Sequence, residues 1–338
     1  MANLFTKAAV CTDLHYGLKS NSLQHNNDCY DFIKWFIEEA KRENCDTVLF
    51  LGDWHNHRAS INIHTLQYSL RSLEMLNENF DRVFFIPGNH DLYYKDSRDI
   101  SSIEFAQHLK NIHICNEFFN EGDVVIAPWL VSDDYKKIQK LEGKYMFGHF
   151  ELPRFKMNAM VEMPDHGGLN TTQMSHFDKV FSGHFHMRQT QGNVTYMGNC
   201  FPHNYSDVNS DDRGMMILEW GKEPNYRAWP DQPLYRYYTL SELVNNPAEL
   251  MKPNMHIRVE LDIDISYEEA NYLKETFVDE YKLRELSLVT NRKTGVDEDL
   301  SPGDIVFESV DQIVTDQITK IDSNSIDPGL LLKIYQSL

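Results

Sequence analysis

Five short segments concentrate the side chains able to do chemistry. In chain order they are Asp13-Leu14-His15, Gly52-Asp53, Gly88-Asn89-His90-Asp91, Gly148-His149 and Gly183-His184-Phe185-His186. Together they supply carboxylate, imidazole and amide-oxygen donors, a mixture that suits manganese, iron or zinc better than calcium. Two divalent ions about 3.5–4 Å apart clamp a phosphate and activate a water between them. Such a pair needs a carboxylate touching both ions, because only an anion offsets two adjacent dications, and Asp53 suits that role. In the Asp-x-His and His-x-His spacings, side chains two residues apart point the same way from a strand end. The glycines let backbone approach the ions closely.

The elements that must position these residues are legible from hydrophobic pattern. Residues 5–12, 47–51, 83–86, 145–147 and 180–182 are strand-like, and each is followed by one of the five motifs. Residues 112–115 and 124–127 extend the strand series, and 194–197 and 215–219 read as later hairpin-type strands. Residues 29–43 have helical spacing, with Phe32, Trp35, Phe36 and Ala40 on one face, and 66–76 are again helical. Strands alternating with helices predict an α/β layered domain, and open α/β sheets gather ligands at the carboxyl ends of their strands.

Residues 224–233, rich in Pro, Trp and polar residues, read as a boundary. Beyond it, 256–265 alternates as a half-buried strand, 266–281 opens with a capping-box pattern at Ser266 and continues as a helix, and 283–290 is a second strand. This is a small β-α-β unit. The polar, acidic stretch 291–303 reads as a linker, and 310–338 carries two amphipathic helical patterns. Val310, Ile313, Val314, Ile318 and Ile321 form one apolar stripe, and Leu330, Leu331, Ile334 and Leu338 a second. They either pack back on the preceding unit or dock onto a groove or coiled coil of a partner.

The 338 residues suffice for one large domain and a smaller one. No stretch approaches the roughly 20 apolar residues of a membrane span, and the N-terminus has no signal-peptide core, so a cytoplasmic protein without membrane contact is expected. The five cysteines are odd in number and irregularly spaced, which supports free thiols rather than a disulfide framework or a zinc knuckle. Cys11 and Cys115 fall in strand-like runs and are expected as small core residues. The formal net charge of −19 repels polyanions at long range. Either the substrate is small, or a local basic patch or basic partner overcomes that field.

Taken together, the five motifs resemble those of the calcineurin-like metallophosphoesterase superfamily over roughly residues 5–220. The resemblance implies a layered metallophosphoesterase β-sandwich flanked by helices, with a small α+β cap and a C-terminal helical pair. It implies two divalent ions, manganese first, with magnesium, iron or zinc as alternatives. One ion would take Asp13, His15, Asp53 and His186; the other would take Asp53, Asn89, His149 and His184. His90 would contact the scissile phosphate and assist the leaving oxygen. Asp91 would orient that imidazole or only cap a turn.

Within the superfamily the chain resembles the SbcD-type subunit, the meiotic-recombination nuclease of eukaryotes, in its compact phage version. Gly148-His149-Phe150-Glu151, the β-α-β unit and the final helical pair carry that match. It implies a phosphoesterase (nuclease) domain at 1–230, a cap at 231–290, a linker at 291–304 and a partner-binding segment at 305–338. It further implies a DNA exonuclease and endonuclease of end processing, recombination and repair. Such an enzyme works with an SbcC-like coiled-coil ATPase, as a homodimer, in the host cytoplasm if phage-encoded. Arg58, Lys95, Arg98 and Arg188, in loops near the motifs, are either phosphate contacts or solvated surface charge. One departure is Asn56, flanked by His55 and His57, where many relatives carry a histidine three residues after the bridging aspartate. The alternative function is a small-molecule or cyclic-nucleotide phosphodiesterase of the same superfamily. A non-catalytic scaffold fits less well, because no ligand is missing. Protein phosphatases also fit less well, because no arginine-glycine ending follows Asp53.

Overall fold

The computed structural model describes residues 3–157 and 161–290. The expected linker at 291–304 and the C-terminal segment at 305–338 lie outside the described residues. Fifteen strands are present among the described residues: β1 Lys7–Cys11, β2 Thr47–Phe50, β3 Val83–Phe85, β4 Ile112–Ile114, β5 Phe119–Glu121, β6 Val124–Ile126, β7 Tyr145–His149, β8 Lys179–Gly183, β9 Gln189–Gln191, β10 Val194–Tyr196, β11 Gly214–Glu219, β12 Asn225–Ala228, β13 Leu234–Thr239, β14 Met255–Leu261 and β15 Glu285–Thr290.

They make two six-stranded mixed sheets and a smaller third one. The first runs β12-β11-β1-β2-β3-β4, and the second runs β5-β6-β7-β8-β10-β9. In the first, β1 to β4 are parallel and β11 is antiparallel to β1. In the second, β6, β7, β8 and β10 are parallel, with β5 and β9 antiparallel at the edges.

The period-2 alternation of strand side chains sorts residues between three apolar layers. Ala8 and Val10 of β1, Leu49 of β2, Val124 and Ile126 of β6 and Tyr145 and Phe147 of β7 face one another between the sheets. Ala9 and Cys11, with Val48 and Phe50, face the other way onto the helices Leu23–Arg42 and Ile63–Asn79 through Phe32, Phe36, Leu73 and Leu76. Val125 and Met146 turn to the outer face of the second sheet, against Phe150, Phe155 and Phe177. Both faces of both sheets are therefore covered, as strands this apolar require. The α/β layered class is the one the sequence predicts.

The third sheet, β13-β14-β15, is all parallel and has its own apolar layer of Leu240, Leu243, Ile257, Val259, Phe277 and Leu286. The helix Tyr267–Tyr281 starts with the expected capping box, Ser266 and Glu269 each closing on the other's backbone. Two expectations need correction. The unit is not a bare β-α-β, because β13 adds a strand that its run of tyrosines conceals. Residues 224–233 are not a plain boundary either. They contain β12, paired antiparallel to β11, and Trp229, buried against the helices. Several ties hold the third sheet to the rest, Arg236 to Asp211 and Lys19 to the Tyr235 hydroxyl among them. Arg284 makes two hydrogen bonds to the Asp28 carboxylate, at 2.5 and 2.6 Å, and the Tyr235 hydroxyl donates to the His203 carbonyl at 2.9 Å. All five cysteines are free thiols, and Cys11 and Cys115 are buried as expected. No helix among the described residues is long and apolar enough to cross a membrane.

Candidate metal centre

The five motifs meet at the carboxyl ends of β1, β2, β3, β7 and β8. The loops after β1 and β2 are zipped together by backbone: Asp13 N–H donates to the Gly52 carbonyl at 2.9 Å, and Leu14 and His15 N–H both donate to the Asp53 carbonyl at 3.0 Å. This pairing is possible because the chain turns left-handed at its functional residues. Asp13 and His15 have φ of 55°, Asp53 60°, His184 91° and Gly52 104°. A non-glycine residue held there costs of order 1–3 kcal/mol and persists only where its surroundings enforce it. The convergence of Asp13 with His15 therefore comes from paired positive-φ residues, not from strand alternation as the spacing predicts.

Two glycines are required by close approach. A Cβ on Gly88 would lie 2.2 Å from Asp53 Oδ1 and 2.4 Å from Asp53 N, and one on Gly52 would lie 2.3 Å from His149 Nδ1.

On the β1 side, His15 Nε2 lies 3.6 Å from Asp53 Oδ2 and 3.9 Å from Asp13 Oδ1. His186 Nε2 lies 3.3 Å from His15 Nε2 and 3.9 Å from Asp13 Oδ1. On the β7 side, His149 Nε2 lies 3.4 Å from Asp53 Oδ2 and 3.2 Å from Asn89 Oδ1. Donors each about 2.0–2.2 Å from one ion stand about 3–4 Å apart. Asp53 belongs to two groups of convergent ligand atoms, one with His15 and His90, the other with His149 and His184. One carboxylate between two imidazole-rich groups is a donor set that fits a pair of divalent ions. All seven sequence-predicted ligands are thus brought to one place.

Supporting contacts fix which atoms face inward. His149 Nδ1–H donates to the Leu51 carbonyl at 2.6 Å, which turns Nε2 toward Asp53 and Asn89. Thr12 Oγ1–H donates to Asp13 at 2.7 Å, and His184 N–H lies 3.1 and 3.2 Å from the two Asp13 oxygens. Burial alone would raise Asp53, but His149 and then His15 outweigh it and hold the carboxyl well below its usual range. Burial likewise pulls His149 down, but Asp53 wins and raises it to about 9. His15 and His184 are pushed down, chiefly by burial.

His90 sits at the rim, half-buried, its ring 4.9 Å from that of His15. Its backbone N–H donates to Asp53 Oδ1 at 2.9 Å, and its Nδ1–H donates to the Asn56 carbonyl at 2.8 Å. The orienting partner of this imidazole is therefore a backbone carbonyl and not Asp91. The Asp91 carboxylate accepts from Gly88, Trp54 and His55 N–H at 2.9, 3.1 and 2.8 Å, so it clamps the β2 loop to the β3 loop. Burial and the nearby Asp53 charge raise it to about 6.

The four expected phosphate contacts divide. Arg98 is spent on Asp134 at 2.6 Å and on the Trp129 carbonyl at 2.8 Å. Arg188 is spent on Asp212 and on the Met197 carbonyl, over the ring of Tyr226. Charge type and position suggested these two arginines, and their internal partners overrule that reading. Arg58 is half-buried and Lys95 exposed. Lys95 is near the site through its own carbonyl, which accepts the Trp129 indole N–H at 3.1 Å. Trp129 in turn lies against His149 and His184, with ring centroids 5.7 and 5.4 Å away. Motif spacing missed Trp129, the Asn56 carbonyl and His203, whose buried ring lies 5.5 Å from His15 and 5.3 Å from His186. A histidine in the loop after β10 was the available signal for His203, but no glycine precedes it as in the Gly-His motifs.

The calcineurin-like phosphoesterase family matches residues 6–188, more than half of the chain. The chain belongs to that family. Calcineurin-like phosphoesterases work at a dinuclear metal centre, and the two ligand groups sharing Asp53 lie within or at the edge of the matched segment. Among curated proteins, this family member is similar to exonuclease subunit 1 of Enterobacteria phage T4, 26% identical over 231 residues, covering 64% of this chain and 67% of that protein. It is also similar to the DNA double-strand break repair protein Mre11 of Archaeoglobus fulgidus, 30% identical over 109 residues, covering 32% of this chain and 24% of that protein. Among solved structures, a dimetal phosphatase from Danio rerio aligns with a TM-score of 0.41 and 12% identity, over 66% of this chain and 96% of that one.

Proposed function

We propose that this chain is the nuclease subunit of an SbcD-type complex, a metal-dependent DNA exonuclease and endonuclease. The observation that carries the metal chemistry is the Asp53 carboxylate shared by two ligand groups. The choice of DNA rests on the names of the phage and archaeal relatives. In this reading Asp13, His15, Asp53 and His186 hold one ion and Asp53, Asn89, His149 and His184 the other, with manganese the first expectation. When bound, such a pair neutralises the phosphate and activates the attacking water. The chain's own work is to place these donors without rearrangement, which the zipped loops and the Asp91 clamp do. His90 is the proton donor: Nδ1 is held by the Asn56 carbonyl, so Nε2 delivers the proton to the leaving oxygen.

The partner in this reading is an SbcC-like ATPase recruited by residues 305–338, and the working form is a homodimer. The domain division is the one drawn above, with the cap at 231–290 facing DNA. The test incubates the protein with manganese and either linear DNA or a generic phosphodiester, with and without the ATPase. Manganese-dependent DNA cleavage, stimulated by the ATPase and ATP, is the expected result. Removing residues from 305 onward should abolish co-purification with the ATPase while sparing hydrolysis of the small phosphodiester. A second reading, a cyclic-nucleotide or small-molecule phosphodiesterase, draws on the net charge of −19 and the internal use of Arg98 and Arg188. Strong activity confined to cyclic nucleotides would decide for it.

A further inference from the structure

His203 has no place in the ligand sets above, yet its ring is built into the same wall. It follows β10 in the segment Cys200-Phe201-Pro202-His203 and lies beyond the family match at 6–188. The side chain is buried, standing edge-to-face against His15, His186 and His25, with centroids 5.5, 5.3 and 5.3 Å away. Among the described residues neither ring nitrogen has a hydrogen-bond partner, and both are shut off from solvent. A buried polar group left unmatched is costly, so a histidine in this position is unfavourable unless a ligand satisfies it. One ring nitrogen each of His15, His186 and His203 lies within 4.8 Å of the other two.

The backbone of His203 is fixed to match. Its N–H donates to Asp207 Oδ2 at 2.9 Å, and its carbonyl accepts from the Tyr235 hydroxyl at 2.9 Å. The other Asp207 oxygen lies 3.8 Å from Arg213, a buried side chain that donates to the His186 carbonyl. One buried ion pair thus sets the backbones of His186 and His203 together. His25, the other neighbouring imidazole, places its Nε2 3.0 Å from the His15 carbonyl.

We infer that His203 is an additional ligand of the ion held by Asp13, His15, Asp53 and His186, and that it biases that position toward a first-row transition metal over magnesium. Three imidazoles on one ion suit manganese, iron or zinc, whereas magnesium prefers oxygen donors. The inference rests on the two-ion reading of the site.

The test is direct metal binding with no substrate. Metal-free protein is titrated with Mn2+ alone, free ion being followed by electron paramagnetic resonance, for the wild type, His203→Phe and His203→Leu. Both variants keep an apolar body against Phe201 and remove the donors. The wild type should take up two ions. Each folded variant should weaken one of them by at least the 10–100-fold loss typical of altering a metal's supporting groups, and magnesium should compete better for that position. A second measurement avoids substitution: wild-type protein with 15N-labelled imidazoles is titrated with Zn2+. The rings of His15, His149, His184, His186 and His203 should all shift to metal-bound positions. Two full-affinity Mn2+ sites in the variants, or four shifting rings, overturns the role of His203 and leaves the two-ion reading standing. A wild type that binds no Mn2+ overturns both.

Discussion

In the proposed two-ion reading Asp53 is the residue on which both halves of the centre depend, because its carboxylate faces His15 on one side and His149 on the other at 3.6 and 3.4 Å. Asp53→Ala should therefore lose both ions together, and elemental analysis showing two retained ions would remove it from the bridging position. His90 is different. Its hydrogen bonds to Asp53 and Asn56 run through its backbone N–H and Nδ1. Its ring, though converging with His15 and Asp53, is the half-buried member at the rim and is outside the proposed ligand sets, so His90→Ala should keep the metals while turnover falls by roughly the 10²–10⁴-fold typical of a lost general acid. Metal content and turnover measured on the same sample decide it, and near-wild-type turnover excludes the role. What was legible at this scale was side-chain type joined to spacing: the seven ligand candidates all carry metal-binding atoms and lie at or after strand ends, and Asp53, Asn89, His149 and His184 directly follow a glycine. What was not legible was anything delivered by backbone or by a partner distant in sequence. The Asn56 carbonyl is invisible in a sequence. Asp134 and Asp212, which engage Arg98 and Arg188, stand 36 and 24 positions away from them.

At the scale of elements, continuous apolar runs such as Val124–Ile126 were readable because both faces of each sheet are buried, and the helical stripe of Phe32 and Phe36 because that face packs on the first sheet. The strands β5, β9, β12 and β13 were not. The first two are three-residue edges with polar exposed residues, β12 is a short polar edge strand, and β13 hides among tyrosines. The tie between the third sheet and the helix Leu23–Arg42 was also beyond reach, since Asp28 and Arg284 are 256 residues apart. Their side chains are only 11% and 12% exposed. Breaking a buried pair by removing one partner costs about 3–5 kcal/mol, and the residual exposure places this one at the lower end. Arg284→Met should thus destabilise the protein by about 3 kcal/mol in denaturant unfolding. The doubly substituted Asp28→Leu, Arg284→Met chain should recover much of that loss, because neither charge is then left unmatched. A double variant no more stable than Arg284→Met would show that the pair does not act as a unit.

The whole molecule sets the terms on which a polyanion approaches. A net charge of −19 opposes DNA at long range, and two of the four arginines and lysines near the centre are occupied internally. Arg58 and Lys95 remain, with no side-chain hydrogen bond or ion pair among the described residues. Each phosphate neutralised by a cation contributes about −0.9 to the slope of log affinity against log salt on duplex DNA. Two such contacts give a slope of about −2 for the chain alone. A basic partner that adds phosphate contacts should steepen the slope toward the values seen when 6–10 phosphates are engaged, a loss of about 10³–10⁵ in affinity between 50 and 200 mM salt. The measurement is DNA affinity against salt, in manganese-free buffer so that cleavage does not intervene, with and without the ATPase. A steep slope for the chain alone would place a basic surface outside Arg58 and Lys95. Arg58→Ala and Lys95→Ala should each flatten the slope of the chain alone by about one unit. If neither does, these two side chains do not contact the phosphate backbone, and the acidic field leaves a small phosphodiester as the better-matched substrate.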